Sequence, residues 1–412
     1  MIRTIYFQCK LPKTAADALN AESGRIYSQV LVEQYRIYRK KGIWLSLGAQ
    51  ECYHDYLNRE TPRLLHAHSI DAAQQGFHKA CKTAKANRGD GAKYPHKRKH
   101  YRTTVWKNTG IRLEGSVLRL ALARGREPIP VPLPEPLQGL APEAFTEMRL
   151  VYNPSSRHYE WHLVVDDGME VQATTHTNVA AIDLGEIHPA TITDGVEAAV
   201  VSCRQLRAQS QHTAKNLARI QAKQSRQQKG SRRWKRLQRR KNRFLAKQER
   251  RRRDIEHKVS RAVVDWAVEQ QVGTLAIGDV RDVAAGKRLN TKSQQKISNW
   301  SHGKMRRYIG YKAEAAGITV VDDVDEAYTS QTCAGCSNRH KPKGRVYTCP
   351  ACGSMVHRDV QGAANILSRF LYGELAKVPA AVPKYRHPVL RGKRSSPGHG
   401  ASSSREREAT RL

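Results

Sequence analysis

The chain has 412 residues, with 72 Lys and Arg against 37 Asp and Glu, a formal net charge of +35. Such an excess repels itself in a compact state unless a polyanion is bound, so nucleic acid is the expected partner, and the length allows two or three domains with real cores. No apolar run is long enough to span a bilayer, and the start, MIRTIYFQCK, lacks the apolar stretch of a secretory leader, which excludes a membrane and points to a reducing cytoplasm.

Residues 1–9 alternate apolar and polar side chains and predict a strand. From Thr14 to about Ala86 the period turns helical, with Ile26, Val30, Leu31, Tyr35 and Tyr38 on one face and Gly42 and Thr61-Pro62 as punctuation. Residues 87–102 form a basic, Gly-containing loop holding Lys93, Lys97, Arg98, Lys99 and Arg102. Short strands are expected at 104–107, 110–114, 117–123, 147–152 and 159–165, with PIPVPLPEP between them as a stiff connector. Such strands suggest a small β-barrel that the N-terminal strand joins, making the helical part an insertion. From Asn178 the pattern becomes VAAIDLG, ATITDG and AAVVS as three strands, then a basic helical stretch over roughly 204–270. TLAIGDV as a strand, a helix over about 299–316, ITVVDDV as a strand, a cysteine module and a last helix near 360–376 complete an α/β fold with a mixed sheet. The remainder, 381–412, is Arg/Ser/Gly/Pro-rich and reads as a disordered basic tail.

Four of the eight cysteines, Cys9, Cys52, Cys81 and Cys203, are scattered and read as buried small apolar residues. The others, Cys333, Cys336, Cys349 and Cys352, form C-x2-C-x12-C-x2-C, the spacing of two knuckles presenting four thiolates to zinc. Two reduced redox pairs are the alternative. Four cysteines leave no open position, so a zinc here is structural. Two acids stand out as well: Asp183 ends a buried strand, and Asp359 starts the final helix. Carboxylates converging from separate elements can hold a magnesium pair that activates water at a phosphodiester; a strand-end turn for Asp183 and a helix N-cap for Asp359 are the plainer readings.

The ordered segments IDLGEIHPATITDG, IGDV, EAYTSQTCAGC…CPACG and HRDVQGAANIL resemble the TnpB family and the small type V CRISPR effectors (Cas12-like) derived from it. The resemblance is close over about 178–372 and extends to the N-terminal half in layout only. It implies a RuvC-like (RNase H-like) nuclease domain with a zinc-ribbon insert, and an N-terminal β-barrel wedge domain carrying a helical recognition insert. The implied boundaries are 1–12 and 87–175 for the wedge, 13–86 for the insert, 176–330 and 356–380 for the nuclease domain, and 331–355 for the ribbon. It also implies one catalytic acid from each of three motifs, and an RNA guide directing cleavage of double-stranded DNA beside a short flanking motif. A prokaryotic, nucleoid-associated monomer is expected.

The chain departs from that pattern at Gly278, where the family carries Glu. Side chains alternate faces along a strand, so Asp279 points away from the site that residue 278 faces. Glu326 follows the next strand, which should lie about 4.8 Å away, within reach of its side chain. The expected site is therefore Asp183, Glu326 and Asp359 with two magnesium ions; the alternative is a nuclease-dead guided DNA binder. A strand-joining transposase and an unrelated zinc-ribbon protein fit less well. Gln361-Gly362, where many relatives have Asn-Ala, reads as ordinary variation, with Asn365 retained. Residues 226–253 hold fifteen Lys and Arg, among them Arg232, Arg233, Lys235, Arg236, Arg239 and Arg240, with Trp234, Leu237, Phe244 and Leu245 interleaved. A helix so charged, with one packed edge, suits a polyphosphate track, and Lys97, Arg98 and Lys99 are expected to touch nucleic acid too. His257, His302 and His340 read as contacts rather than acid–base groups, Ser330 as a hydrogen-bonding neighbour of the site, and Trp300 as core.

Overall fold

In a computed structural model, which describes residues 2–154, 156–166, 168, 170–281 and 290–388, the chain divides into two compact units at residues 170/171.

The first unit runs β1 (Ile2–Gln8), α1 (Lys13–Lys41), α2 (Leu47–Leu57), α3 (Ala67–Ala86), β2 (Thr104–Lys107), β3 (Ile111–Glu114), β4 (Val117–Leu120), β5 (Ile129–Pro132), β6 (Phe145–Asn153) and β7 (His158–Asp166). The strands expected in one barrel fall into two sheets, ordered β1-β7-β6-β2 and β3-β4-β5. Alternation makes the first sheet one-sided: Tyr159, Trp161, Leu163 and Val165 of β7 are buried. Trp106, Phe145, Met148 and Leu150 pack in the same core, which also takes in Leu118, Leu120, Ile129 and Val131 of the second sheet.

The expected proline-rich connector is in part a strand. Ile129 and Val131 point inward, Pro130 and Pro132 outward, and β5 is an edge strand, where a missing N–H costs no ladder bond. Helix α1 stops at Gly42, which takes a left-handed φ of 69° and donates its N–H to Tyr38 O. Tyr38 itself is exposed, against the predicted face, and meets the ring of Trp44 edge-on. Cys52 is likewise exposed, because its turn of α2 buries Gln50 and His54 against Glu33 instead.

The second unit runs β8 (Asn178–Asp183), β9 (Ala190–Thr193), β10 (Ala198–Val201), α4 (Arg204–Ser225), α5 (Arg232–Glu269), β11 (Val272–Asp279), α6 (Thr291–Asn299), α7 (His302–Glu314), β12 (Thr319–Asp325), β13 (Val346–Thr348), β14 (Met355–His357), α8 (Arg358–Tyr372) and β15 (Pro383–Arg386). Its mixed sheet is ordered β12-β11-β8-β9-β10-β15; β8, β11 and β12 are parallel, β9 is antiparallel to both its neighbours, and β15 is parallel to β10. One face packs on α5 and α7 through Val259, Val263, Trp266, Met305 and Ile309, with Trp300 at its margin. The other carries α8, which approaches closely because Ala181 and Ala276 on the strands meet Ala364 on the helix.

One further expectation needs correction. Residues 383–386 of the supposed disordered tail form β15, whose backbone continues the sheet beyond β10; residues 389–412 lie outside the described residues. The basic helical stretch is two helices, broken at 226–231, and Ser231 caps α5 by accepting from Trp234 N. Among the described residues no helix is long and apolar enough to cross a membrane.

Candidate active site

The parallel register Ile277↔Ile182 sets Gly278 level with Asp183 at the C-terminal ends of β11 and β8, the edge where open α/β sheets place their ligand sites. Asp183, the last residue of β8, is half-buried at that edge. Helix α8 lies directly against it: a Cβ at Gly362 would come within 2.5 Å of Asp183 Oδ2. Glycine inside a helix costs about 1 kcal/mol relative to alanine, and here it clears the space the carboxylate occupies. Gly362 is therefore more than ordinary variation. Asp359 sits one turn earlier, in the first turn of α8, where the helix dipole favours an anion. It is not the N-cap, which is His357.

Glu326 follows β12 immediately, next to β11. Its side chain fills the space that a side chain at 278 would take: a Cβ on Gly278 would lie 2.6 Å from both Cγ and Cδ of Glu326, and closer still to Oε1. Three acids near it are paired. Asp279 accepts from Arg281 Nε at 2.8 Å and meets Arg306 at 3.3 Å; Asp322 pairs with Arg306 at 2.7 Å and Asp325 with Arg369 at 2.6 Å. Glu326 Oε1, by contrast, is buried without a hydrogen-bond partner. Burial pushes Glu326 up to about 7, with Asp279 and Asp325 adding to the rise. Burial, then the charges of Glu326 and Asp359, hold Asp183 well above the usual carboxylate range. Arg281 keeps Asp279 below it. The structure thus sets Asp183 within electrostatic reach of both Glu326 and Asp359 and leaves Asp279 among arginines.

The loop after Glu326 is tied down from α8. Asn365 donates to Thr329 O at 2.7 Å and Thr332 O at 2.8 Å and accepts from Ala376 N; Gln361, one turn away, donates to Thr332 O at 2.7 Å. Thr329 in turn donates through its hydroxyl to Glu326 O at 3.0 Å. Sequence reading missed Gln361 in this role; the signal was its i, i+4 spacing to Asn365.

The four cysteines converge, with Sγ separations of 3.7 Å for Cys333–Cys352 and 3.5 Å for Cys336–Cys349. Tetrahedral zinc with Zn–S bonds near 2.3 Å spaces its sulfurs about 3.8 Å apart, so this donor set fits zinc. The ribbon's buried centre is Tyr347 between Cys333 and Cys349. From its loop Arg345 reaches Asp359 Oδ2 at 2.7 Å, a contact sequence reading did not anticipate. Arg232, Arg233, Lys235, Arg236, Arg239 and Arg240 are all exposed along α5, while Trp234, Leu237, Phe244 and Leu245 are partly buried. In the first unit Lys97, Arg98 and Lys99 are exposed, and Arg98 joins Arg36, Arg39, Lys40 and His96 around a basic cavity of about 540 Å³. His257 stacks on Tyr308 with centroids 4.2 Å apart, away from the carboxylates.

Residues 162–284 match the family described as "Probable transposase", and residues 302–366 the family described as "Cas12f1-like, TNB domain". The chain is 34% identical over 116 residues to the CRISPR-associated endodeoxyribonuclease Cas12f1 of Sulfoacidibacillus thermotolerans, a match spanning 27% of this chain and 25% of that protein. It is 30% identical over 223 residues to "Putative RNA-guided DNA endonuclease InsQ" of Escherichia coli (strain K12), spanning 51% of this chain and 54% of that protein. The chain thus spans a quarter to about half the length of these curated relatives. In fold it is similar to a Cas12f1 chain solved by cryo-EM as a complex with sgRNA and target DNA, with a TM-score of 0.57 and 14% identity over 87% of this chain and 83% of that one.

Proposed function

We propose that this chain, which is TnpB/Cas12-like along residues 162–284 and 302–366, is an RNA-guided DNA endonuclease that hydrolyses a phosphodiester of guide-matched DNA beside a short flanking motif. One observation carries the reading. The Glu326 carboxylate occupies the room that Gly278 leaves open, so the acid missing from β11 is supplied from the end of β12. The site is a RuvC-like arrangement of Asp183, Glu326 and Asp359, which hold the divalent ions; an oxygen-only donor set suits Mg²⁺. Its fit rests on the orphaned Glu326 Oε1 and on crowded carboxylates whose mutual repulsion a cation relieves. When bound, a magnesium pair supplies an activated water and neutralises charge on the leaving oxygen. The protein's own contribution is positioning. Gly362 lets α8 seat against Asp183, and Asn365 and Gln361 fix the loop that starts at Glu326.

The wedge and recognition roles fall to the first unit, and the exposed arginine rows of α5, with Lys97, Arg98 and Lys99, bind guide RNA and its duplex with the target. The ribbon's zinc is structural, and the working species is a monomer. The test is cleavage of matched plasmid DNA in Mg²⁺ by the protein purified with RNA from its own locus. Cutting by wild type and Asp279→Ala, with at least a hundredfold loss in Glu326→Gln, supports the reading. Tight binding of matched DNA without cutting, across randomised flanking motifs, replaces it with a guided binder.

A further inference from the structure

Two histidines that the proposed cleavage does not use lie beside Asp359. His188 is in the loop between β8 and β9, and His357 ends β14 just before Asp359. One ring nitrogen of each histidine and one carboxylate oxygen of Asp359 all lie within 4.8 Å of one another. Both histidines are more than nine-tenths buried, at 8% and 9% exposure. Both leave Nδ1 buried with no hydrogen-bond partner. An orphaned buried polar atom costs about 1–3 kcal/mol, and two of them beside one carboxylate call for a shared partner. The rings are held in place: their centroids are 5.6 Å apart, and Tyr385 of β15 stands 6.2 Å from each. The loop is tight as well, since a Cβ on Gly185 would meet His188 O at 2.6 Å.

We propose that His188, His357 and Asp359 bind one first-row transition-metal ion beside the carboxylate site. Two imidazoles and one carboxylate are the donor set that divalent manganese, iron, cobalt or zinc accepts with open positions left over. Mg²⁺, which prefers oxygen ligands and keeps its waters, has little use for the two nitrogens. Arg345, whose side chain is 43% exposed, is the cation now on Asp359 Oδ2, and a metal replaces it there. The binding stands whether or not the chain cuts DNA.

The test uses the full chain with its ribbon loaded with zinc, titrated with Mn²⁺ in millimolar Mg²⁺. Mn²⁺ is the probe because thiolates select softer metals, so the ribbon keeps its zinc. The loss of the free Mn²⁺ electron-paramagnetic-resonance signal gives affinity, and pulsed spectra report whether imidazole nitrogens are bound. The expected result is one Mn²⁺ with nitrogen couplings, weakened roughly tenfold or more in His188→Ala and in His357→Gln, with zinc content unchanged. The couplings are read on the unmodified chain, so an unfolded variant leaves the test intact. An oxygen-only spectrum, or equal affinity in wild type and both folded variants, overturns the proposal.

Discussion

Gly278→Ala is the smallest change that separates a glutamate supplied by β12 from one that merely lies nearby. The new Cβ would lie 2.6 Å from Cγ and Cδ of Glu326, whereas carbon–carbon contact settles near 3.5 Å. The Glu326 side chain must therefore retreat by roughly 1 Å. Because it is the far end of a flexible side chain that moves, the cost in stability stays at the low end of overpacking, about 1 kcal/mol. The cost in rate is larger: a 1 Å misplacement of a reacting group is worth about a hundredfold, or about 2.7 kcal/mol of barrier. Single-turnover cleavage of matched plasmid DNA in Mg²⁺, alongside a thermal melt, measures both. The expected outcome is a near-native melt with cutting about a hundredfold slower, and recovery in the double variant Gly278→Glu/Glu326→Gly, which moves the acid back onto β11. Full activity of Gly278→Ala alongside an inactive Glu326→Gln would refute the reasoning, since the carboxylate would then act from somewhere other than the space above Gly278.

Three further outcomes follow from the same geometry. Gly362→Ala puts a methyl against Asp183 Oδ2 and should cut at least tenfold more slowly while melting near wild type, because the gain in helix propensity offsets part of the clash. In metal-free protein the folded pKa of Glu326, about 7, lies above the unfolded value near 4.3. The folded state then holds the extra proton between those values, so stability falls as pH rises from about 4 through 7; melts across that window should show the fall, flattened in Glu326→Gln and reduced by added Mg²⁺. Replacing Arg232, Arg236, Arg239 and Arg240 by Gln should weaken RNA binding and reduce the slope of log affinity against log salt by about one unit for each phosphate left unneutralised.

Much of the second unit was legible because its signals are local. VAAID and TLAIGD are buried strands by composition, the cysteine spacing is a metal pattern by itself, and the position of Glu326 over Gly278 follows from neighbour spacing. What escaped were residues whose meaning depends on a partner remote in sequence. Gly362 looks like a weak helix residue until Asp183 is set against it, and Gln361 gains its role only when the loop at Thr332 is beside α8. Residues 383–386 read as tail because their pairing partner, β10, lies far back in the chain. In the first unit, Ile129 and Val131 were hidden by the prolines that alternate with them.

The placement of β15 bears on the order of assembly. Asp183 is made early in the second unit, Asp359 near its end, and the strand carrying Tyr385 later still. Pairings so distant along the chain form slowly, and synthesis proceeds from the N-terminus at about 5–20 residues per second. A nascent chain therefore folds its first unit and exposes its arginine helices well before its carboxylates can meet. On the proposed function, RNA is captured during that interval, before the proposed cleavage site has been assembled.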